Sequence, residues 1–421
     1  MTEDLKSLKL DDVLARLQET EQHISVLSST TSAGWEPSVA WNPVDSFEVA
    51  YDATTDPTLQ LEEFVAEQKK AERLVIGYIS YDFGCLLHGV KLSTEDDLKT
   101  PLIYVLGFDN WITFDDNKTV IHAKDGAFND ELAQIMARPP REIPSELYDK
   151  GLSSAWSKTS YDQAYERIHD YIEAGDIYQA NLTHRLEGTT GTSGLDIYRK
   201  VSSSSHADFQ SYIGGTDFEV ISASPERFVK IQDDIIETSP IKGTRARGID
   251  GVQDVALRAD LETNPKDKAE LDMITDLMRN DLGVISKIGS VAVTERRILT
   301  SYPTLWHAHS TIQGKLKSDI SPIAALASLM PGGSITGCPK KRAMEIIDEV
   351  EIKRRGIYTG SIFTIKPSGE LDSNIAIRTM IKKADDIYLS VGGGIVHDSK
   401  QTDEYEESLQ KAAVFLKLKT T

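Results

Sequence analysis

Hydrophobic positions recur at two spacings along this chain, and the changes between them mark its elements. Over residues 59–73, Leu61, Phe64 and Val65 share one helical face, and the apolar run "LVIGYISYD" that follows predicts a strand. Alternation through "IYVLGFDNWITFDDNKTVIHAK" predicts paired strands, with Asp115, Asp116 and Asn117 supplying the turn. Between 127 and 158 the pattern weakens and "ARPPREIPSEL" holds three prolines, so the expected organisation is an N-terminal portion over 1–150 and a second region over 155–420.

Past that break the signals sharpen. Ser160 and Gln163 have capping-box spacing, a helix is expected from there to about Ala174, and Gly175 stands where it would stop. In "DIYQANLTHRLEG", strand alternation puts Gln179, Asn181, Thr183 and Arg185 on a polar face and Tyr178, Ala180 and Leu182 on a packed one. "FEVISASPERFVKIQDDIIETSPIKG" reads as three short strands, and Asn264 caps a helix from Pro265 that Gly283 is placed to end. "IYTGSIFTI", "SNIAIRTMIKK" and "IYLSVGGGIV" read as strands, followed by a final helix from about Asp403 to Leu416. Helices and strands alternate without the regular repeat of a barrel or a Rossmann sheet, which predicts an α+β fold around a large sheet system.

A chain of 421 residues with 40% hydrophobic content can bury a sizeable core. Its 66 acidic against 46 basic residues give a net charge of −20, which argues against binding a nucleic-acid backbone. An anionic substrate must then be drawn in by local cations and backbone amides rather than by the overall field. Cys85 and Cys338 have no metal-ligand spacing and suggest no disulfide framework, so a reducing cytoplasm is the expected compartment. The start "MTEDLKSLKLDD" lacks the features of a signal peptide and no apolar run is long enough to span a bilayer, so no membrane partner is expected.

Several stretches could carry chemistry. Lys242 sits in "SPIKGTRARG", whose proline and glycines otherwise read as a turn, and a solvated surface lysine is one reading of it. "PGGSITG", "GTRARG" and "VGGGIV" are either ordinary turns or places where backbone N–H groups can approach an anion. Gly332 and Gly337 have the spacing of a phosphate loop, but Cys338 and Pro339 stand where that loop needs Lys and Ser or Thr. Asp267 and Glu270 lie three apart on one helix, Glu404 and Glu407 three apart on another, with Lys411 a turn beyond. Such pairs could grip one magnesium ion together with substrate oxygens, or could serve as first-turn acids that complement the helix dipole.

"SASPERF", "ETSPIKGTRARG", "KAELDMITDLMRNDLG", "PGGSITGCPKKRAMEIIDEVEIKRRGIYTGSI", "NIAIRT" and "VGGGIV" followed by "DEYEES" resemble, in order and spacing, the chorismate-utilising family of anthranilate, aminodeoxychorismate, isochorismate and salicylate synthases. The likeness is dense over 160–417 and fainter through "GYISYDFG" at 77–84. It implies two large packed sheets in an orthogonal sandwich flanked by helices, with the chorismate-binding catalytic region over 155–420. The anthranilate branch usually has alanine where this chain has Lys242, whereas the aminodeoxychorismate branch is similar to it in having lysine. On that likeness the expected activity is amination of chorismate to 4-amino-4-deoxychorismate, for para-aminobenzoate and folate, through a covalent bond to Lys242. Ammonia would come from glutamine through a separate glutamine amidotransferase subunit, because nothing in this chain resembles that nucleophile motif.

The same resemblance implies residue roles. Glu226, 16 residues before Lys242, matches the general acid, the alternative being an ion pair with Arg227. Glu270 and Glu407 resemble magnesium ligands, with Asp267 and Glu404 holding bound waters. Arg378, Tyr358 and the amides of Gly392, Gly393 and Gly394 look like the clamp on the substrate carboxylates, with Lys411 a second cation and Thr244 a hydroxyl contact. His307 matches a histidine at the ring edge, while His309 matches nothing. Gln179 stands where the isochorismate and salicylate enzymes carry a water-activating lysine, which argues against those two. Arg245 and Arg247 are close enough in sequence to favour a neutral Lys242. Ala246, Leu271 and Cys338 depart from the family pattern at positions read as non-catalytic. The rival readings are anthranilate synthase component I and a non-catalytic subunit that senses chorismate or tryptophan, "VLSST" at 26–30 being loosely similar to the tryptophan site of related synthases.

Overall fold

Strand Leu74–Ile79 is buried at every position and strand Gln179–Thr189 over its first eight, so both are covered on two faces and neither shows a solvated side. The computed structural model describes residues 8–18, 20–115, 118–302, 305–416 and 418; the first seven residues, Asp116 and Asn117 of the expected turn, and Pro303 and Thr304 lie outside the described residues. Among the described residues the strands form two sheets, and every pairing within them is antiparallel. The first has eleven strands, in the order Gly337–Cys338, Gln179–Thr189, Asp386–Val396, Thr379–Lys383, Glu219–Ser224, Phe209–Gly214, Ser25–Ser28, Ser38–Ala40, Trp111–Asp115, Lys118–His122, with Ser153–Ser154 also on Gln179–Thr189. The second has ten, in the order Ile241–Ala246, Leu305–Lys315, Ile235–Thr238, Arg227–Gln232, Leu371–Asn374, Ser361–Ile365, Leu74–Ile79, Ile103–Phe108, Asp45–Val49, with Ala292–Ser301 also on Leu305–Lys315.

The sheets pack on each other through Leu27, Ala40, Ile213 and Val220 of the first and Ile76, Tyr78, Leu106 and Ile362 of the second. Helices Thr58–Lys70, Lys158–Glu173, Pro265–Ile285 and Lys340–Val350 close one side of this sandwich. Leu10–Leu14, Gly126–Met136 and Gly194–Ser204 close the other. The α+β, two-sheet expectation therefore holds. Chain from both sides of the 127–158 segment enters both sheets: Ser25–Ser28 pairs with Phe209–Gly214, and Leu74–Ile79 with Ser361–Ile365.

Local expectations fail where a tertiary contact outweighs them. Tyr81–Leu87 is a helix capped by the Ser80 hydroxyl rather than the end of a strand. Trp111–Asp115 and Lys118–His122 pair on either side of the expected turn, but Ile103–Phe108 of the same stretch belongs to the other sheet. Ser157, not Ser160, caps Lys158–Glu173, its hydroxyl accepting from the Ser160 N–H at 3.0 Å. Gly283 does not end its helix, which continues to Ile285 because Leu282 and Ile285 are buried against the core. Tyr178, placed on the packed face, precedes the strand and is 71% exposed.

Gly337 shows how tightly the edge strand lies against Gln179–Thr189: a Cβ there would come within 2.0 Å of the Gln179 carbonyl oxygen. Gly337→Ala is expected to cost at least about 1–3 kcal/mol, as overpacking does, measured by denaturant unfolding. An unchanged midpoint would mean that this strand does not hold its register.

Candidate active site

Two chain segments pass from one sheet to the other side by side. Glu219–Ser224 leads through Pro225 and Glu226 into Arg227–Gln232, and Leu371–Asn374 leads through residues 375–378 into Thr379–Lys383. The Ile375 N–H donates to the Glu226 carbonyl at 3.0 Å, and the Ser224 hydroxyl donates to the Ile375 carbonyl at 2.6 Å. Glu226 and Arg378 thus stand at adjacent corners, Arg378 with φ +49°. This explains why "SNIAIRTMIKK" is not the single strand expected of it. A cavity of about 700 Å³ opens there, walled by Gln179 and Asn181 of the first sheet, the edge strand Ile241–Ala246 of the second, and helices Pro265–Ile285 and Gln401–Lys411.

Lys242 lies in that edge strand, not in a turn. The register against Leu305–Lys315 shifts between Ile241 and Thr244, so Lys242 and Gly243 form an irregularity, and Gly243 has φ +89°. A side chain at Gly243 would meet Leu261 at 2.8 Å, so glycine lets the strand lie against the neighbouring helix. Lys242 lines the cavity and, among the described residues, forms no ion pair. Arg245 and Arg247 are not spare cations for it. Arg245 binds Asp260 at 2.6 Å and Asp267 at 2.8 Å, and Arg247 binds Asp254 at 2.7 Å.

Glu226 is free of the ion pair that the alternative reading required, since Arg227 binds Asp372 at 2.9 Å. Burial pushes the Glu226 carboxyl above its ordinary range, against the opposing pull of Lys242, a hydrogen bond from the Ser334 hydroxyl, Lys411 and Arg378. Burial also lowers His307 to about 4, with Arg378 and His309 adding to it, so the ring is neutral at pH 7. Its Nδ1 lies 2.9 Å from the Thr244 hydroxyl. His309 does not line the cavity; it lies 3.4 Å from the Thr300 hydroxyl and 3.9 Å from Glu295. Tyr358 lines the cavity, and burial pushes its hydroxyl above the ordinary tyrosine range, so it stays protonated and able to donate.

The glycines of "VGGGIV" lie in the second half of strand Asp386–Val396, as the strand reading of "IYLSVGGGIV" expects, and not in a turn. Only its first half is paired on both edges, because Thr379–Lys383 ends opposite Leu389. The Gly392 carbonyl accepts from Lys411 Nζ at 3.1 Å, which puts the N–H and C=O of Gly392, and of Gly394 two residues on, at the open edge. Gly393 points its pair into the ladder opposite Leu182, and Gly392 and Gly394, not Gly393, line the cavity. Opposite them Gln179 is 3% exposed, and its Nε2 has no hydrogen-bond partner among the described residues. A Cβ at Gly394 would come 2.9 Å from that nitrogen. A buried amide without an acceptor is costly unless a ligand supplies one.

All four carboxylates singled out from the sequence reach this cavity. Glu270 lies 3.8 Å from Lys266 and Glu407 2.9 Å from Lys411, while Glu404 accepts from the Ser399 hydroxyl at 2.7 Å. Burial raises Glu404. For Glu407 burial is outweighed by Lys411, Lys242 and Lys266, and its carboxyl is held down. Among the described residues no three acidic, His or Cys side chains converge as a closed metal cage. An oxygen-only pair from two helices fits a hard cation that takes its remaining ligands from water and substrate. Ser334 and Lys266 join the site without having been singled out; the sequence offers no signal for either beyond their proximity to "PGGSITG" and Asp267.

The family model for chorismate binding enzymes matches residues 23–417. Aminodeoxychorismate synthase component 1 of Bacillus subtilis is 35% identical over 352 residues, 80% of this chain and 75% of that protein. Anthranilate synthase component 1 of Pseudomonas aeruginosa is 33% identical over 399 residues, 87% of this chain and 81% of that protein. The crystal structure of anthranilate synthase component I from Streptococcus pneumoniae superposes with a TM-score of 0.78 at 27% identity, covering 94% of this chain and 93% of that one. With its two-sheet fold, the cavity at the paired crossovers and these relatives, the chain belongs to the family of chorismate binding enzymes.

Proposed function

We propose that this chain aminates chorismate to 4-amino-4-deoxychorismate, using ammonia delivered by a separate glutamine amidotransferase subunit. The observation that carries this reading is Lys242, a half-buried lysine lining the cavity with no ion pair and acting electrostatically on Glu226. The relatives' names favour neither branch alone, since aminodeoxychorismate and anthranilate synthases are about equally similar to the chain.

The chemistry follows from the residues. Lys242 Nζ, once neutral, bonds to C2 of chorismate; the ring electrons shift and the C4–O bond breaks. Glu226, which burial keeps protonated above the ordinary range, gives the departing hydroxyl its proton, and water leaves. Ammonia then bonds to C4, the electrons shift back, the C2–N bond to Lys242 breaks, and the proton lost by the incoming nitrogen returns to Glu226. The net change is chorismate plus ammonia to aminodeoxychorismate plus water. Arg378, Lys411 and the open-edge amides of Gly392 and Gly394 hold the carboxylates, and Gln179 Nε2 gains the acceptor it lacks. A magnesium ion between Glu270 and Glu407 would neutralise a substrate carboxylate while bound.

Incubation with chorismate, magnesium and ammonium tests the reading by the product formed. Aminodeoxychorismate without pyruvate supports it, anthranilate with pyruvate moves the chain to the other branch, and no turnover favours a binding-only subunit. Glu407→Gln is expected to raise the magnesium concentration needed for half-maximal turnover by more than the ~10–100-fold loss of affinity that losing an outer-shell partner costs. A magnesium titration of turnover that matches the wild type would take Glu407 out of the cation site.

A further inference from the structure

Behind the cavity lies a buried ion pair that the proposed chemistry does not use. Glu351, which caps the C-terminus of helix Lys340–Val350, and Arg355, four residues on in non-helical chain, have side chains 4% and 2% exposed. Arg355 Nε donates to Glu351 Oε2 at 3.0 Å and Nη2 to Oε1 at 2.7 Å. Nη1 donates to the Ile335 carbonyl at 3.0 Å and to the Thr359 hydroxyl at 3.4 Å, and Nη2 also donates to the Asn181 carbonyl. All five N–H donors of the guanidinium are thereby used. Glu351 Oε1 also accepts from the N–H and hydroxyl of Thr183, at 2.9 and 2.8 Å, and the guanidinium lies 4.6 Å from the centre of the Tyr81 ring.

Each acceptor belongs to a different wall of the cavity. Asn181 carries the strand that presents Gln179, Ile335 follows Ser334, and Thr359 follows Tyr358. Thr359 is β-branched and has φ +61°, a conformation that its neighbours must hold in place. The Ser334 hydroxyl lies 3.4 Å from Glu226 Oε1 and donates to it. Moving Ile335 therefore moves the group that orients the Glu226 carboxyl. Burial of a full ion pair costs heavily in desolvation, and a hydrophobic pair of similar volume would hold the fold as well.

We propose that Arg355, locked by Glu351, is a positioning residue that fixes Ser334 and so the Glu226 carboxyl, together with the Gln179 and Tyr358 walls, in one arrangement. The inference rests on the reading of Glu226 as proton donor. It does not depend on which amine product forms, because it concerns consumption of chorismate.

Arg355→Lys keeps the charge but cannot reach all of these acceptors. Its kcat for chorismate consumption, at saturating ammonium and magnesium, is expected to fall about 10–100-fold, as small misplacements of reacting groups do, with KM changed less than about threefold. Ser334→Ala should fall by less, and the double variant should be no slower than Arg355→Lys alone, because both act on one carboxyl. Glu351→Gln, which leaves the guanidinium without its counter-charge, should follow Arg355→Lys. Circular dichroism and melting temperature are recorded for each variant. A purely structural role would lower the melting temperature and leave kcat of the folded protein unchanged, and that result overturns the proposal. So does a double variant whose losses multiply, or a failure of both Arg355→Lys and Glu351→Gln to fold. Glu226→Gln, assayed alongside, separates the two failures. Turnover retained there defeats the proton-donor reading; turnover lost there but kept in Arg355→Lys defeats this one.

Discussion

Lys242→Ala is expected to slow aminodeoxychorismate formation by about 10³-fold or more and to leave the fold intact. Two features of its surroundings separate the chemical loss from a structural one. Lys242 is only half-buried in an irregular edge strand, so the side chain contributes little packing, and no ion pair is broken by removing it. Its positive charge does act on Glu226 and Glu407, both of which it lowers, so alanine removes a nucleophile and a charge together. Lys242→Arg keeps the charge without a usable nucleophile, and it should be as inactive as the alanine variant. Mass spectrometry supplies the second readout: wild type trapped with chorismate in the absence of ammonia should gain the mass of chorismate less water, and neither variant should. Amination by Lys242→Arg at a rate near wild type would show that ammonia displaces the hydroxyl directly.

The sequence announced the site better than it announced the fold around it. Asn264 and Pro265 are the expected cap and first turn, because the Asn264 side chain accepts from the N–H groups of Lys266 and Asp267 within the same short stretch. Gly283 misled because a glycine ends a helix only where the chain needs a conformation other residues resist, and here buried Leu282 and Ile285 hold it helical. "SNIAIRTMIKK" misled for a different reason. Its alternation is that of a strand, but Asn374 ends in one sheet, its side chain accepting from Ile362 N–H and donating to the Phe209 carbonyl, and Thr379 begins in the other. Pairings between residues far apart in the chain leave no local periodicity to read. The catalytic candidates are legible because their motifs are long and ordered; the four acids on two helices, with Lys411 a turn beyond, show themselves by spacing as well, and strand alternation places Gln179 on a polar face. Ser334 and the Arg355–Glu351 pair carry no local signal because their contacts cross between elements, and Lys266 carries none because its 3.8 Å pairing with Glu270 is an ordinary i,i+4 spacing on one helix.

Glu226→Gln is expected to slow turnover by about 10²–10⁴-fold, the usual worth of a general acid, while making the protein no less stable at neutral pH. The two halves of that expectation share one cause. Burial raises the folded-state carboxyl above its ordinary value of 4.5, although Lys242, Ser334, Lys411 and Arg378 all favour the ionised form. A group raised on folding contributes stability that is complete below its unfolded value and is lost as pH climbs through the folded one. Wild type should therefore lose this contribution from about pH 4.5 upward, whereas glutamine is neutral and similar in shape at every pH. Melting temperatures of the two proteins, compared from about pH 5 to 8, should separate in favour of the variant as pH rises. The carboxyl whose ionisation weakens the fold as pH rises is, while protonated, the one able to give the leaving hydroxyl its proton, so the stability gained by the variant and the rate it loses measure one group from two sides. A variant that turns over chorismate normally would remove Glu226 from the chemistry. One that is slow and also less stable across the whole range would mean that the carboxylate, held by its four polar neighbours, serves as an anchor and not as an acid.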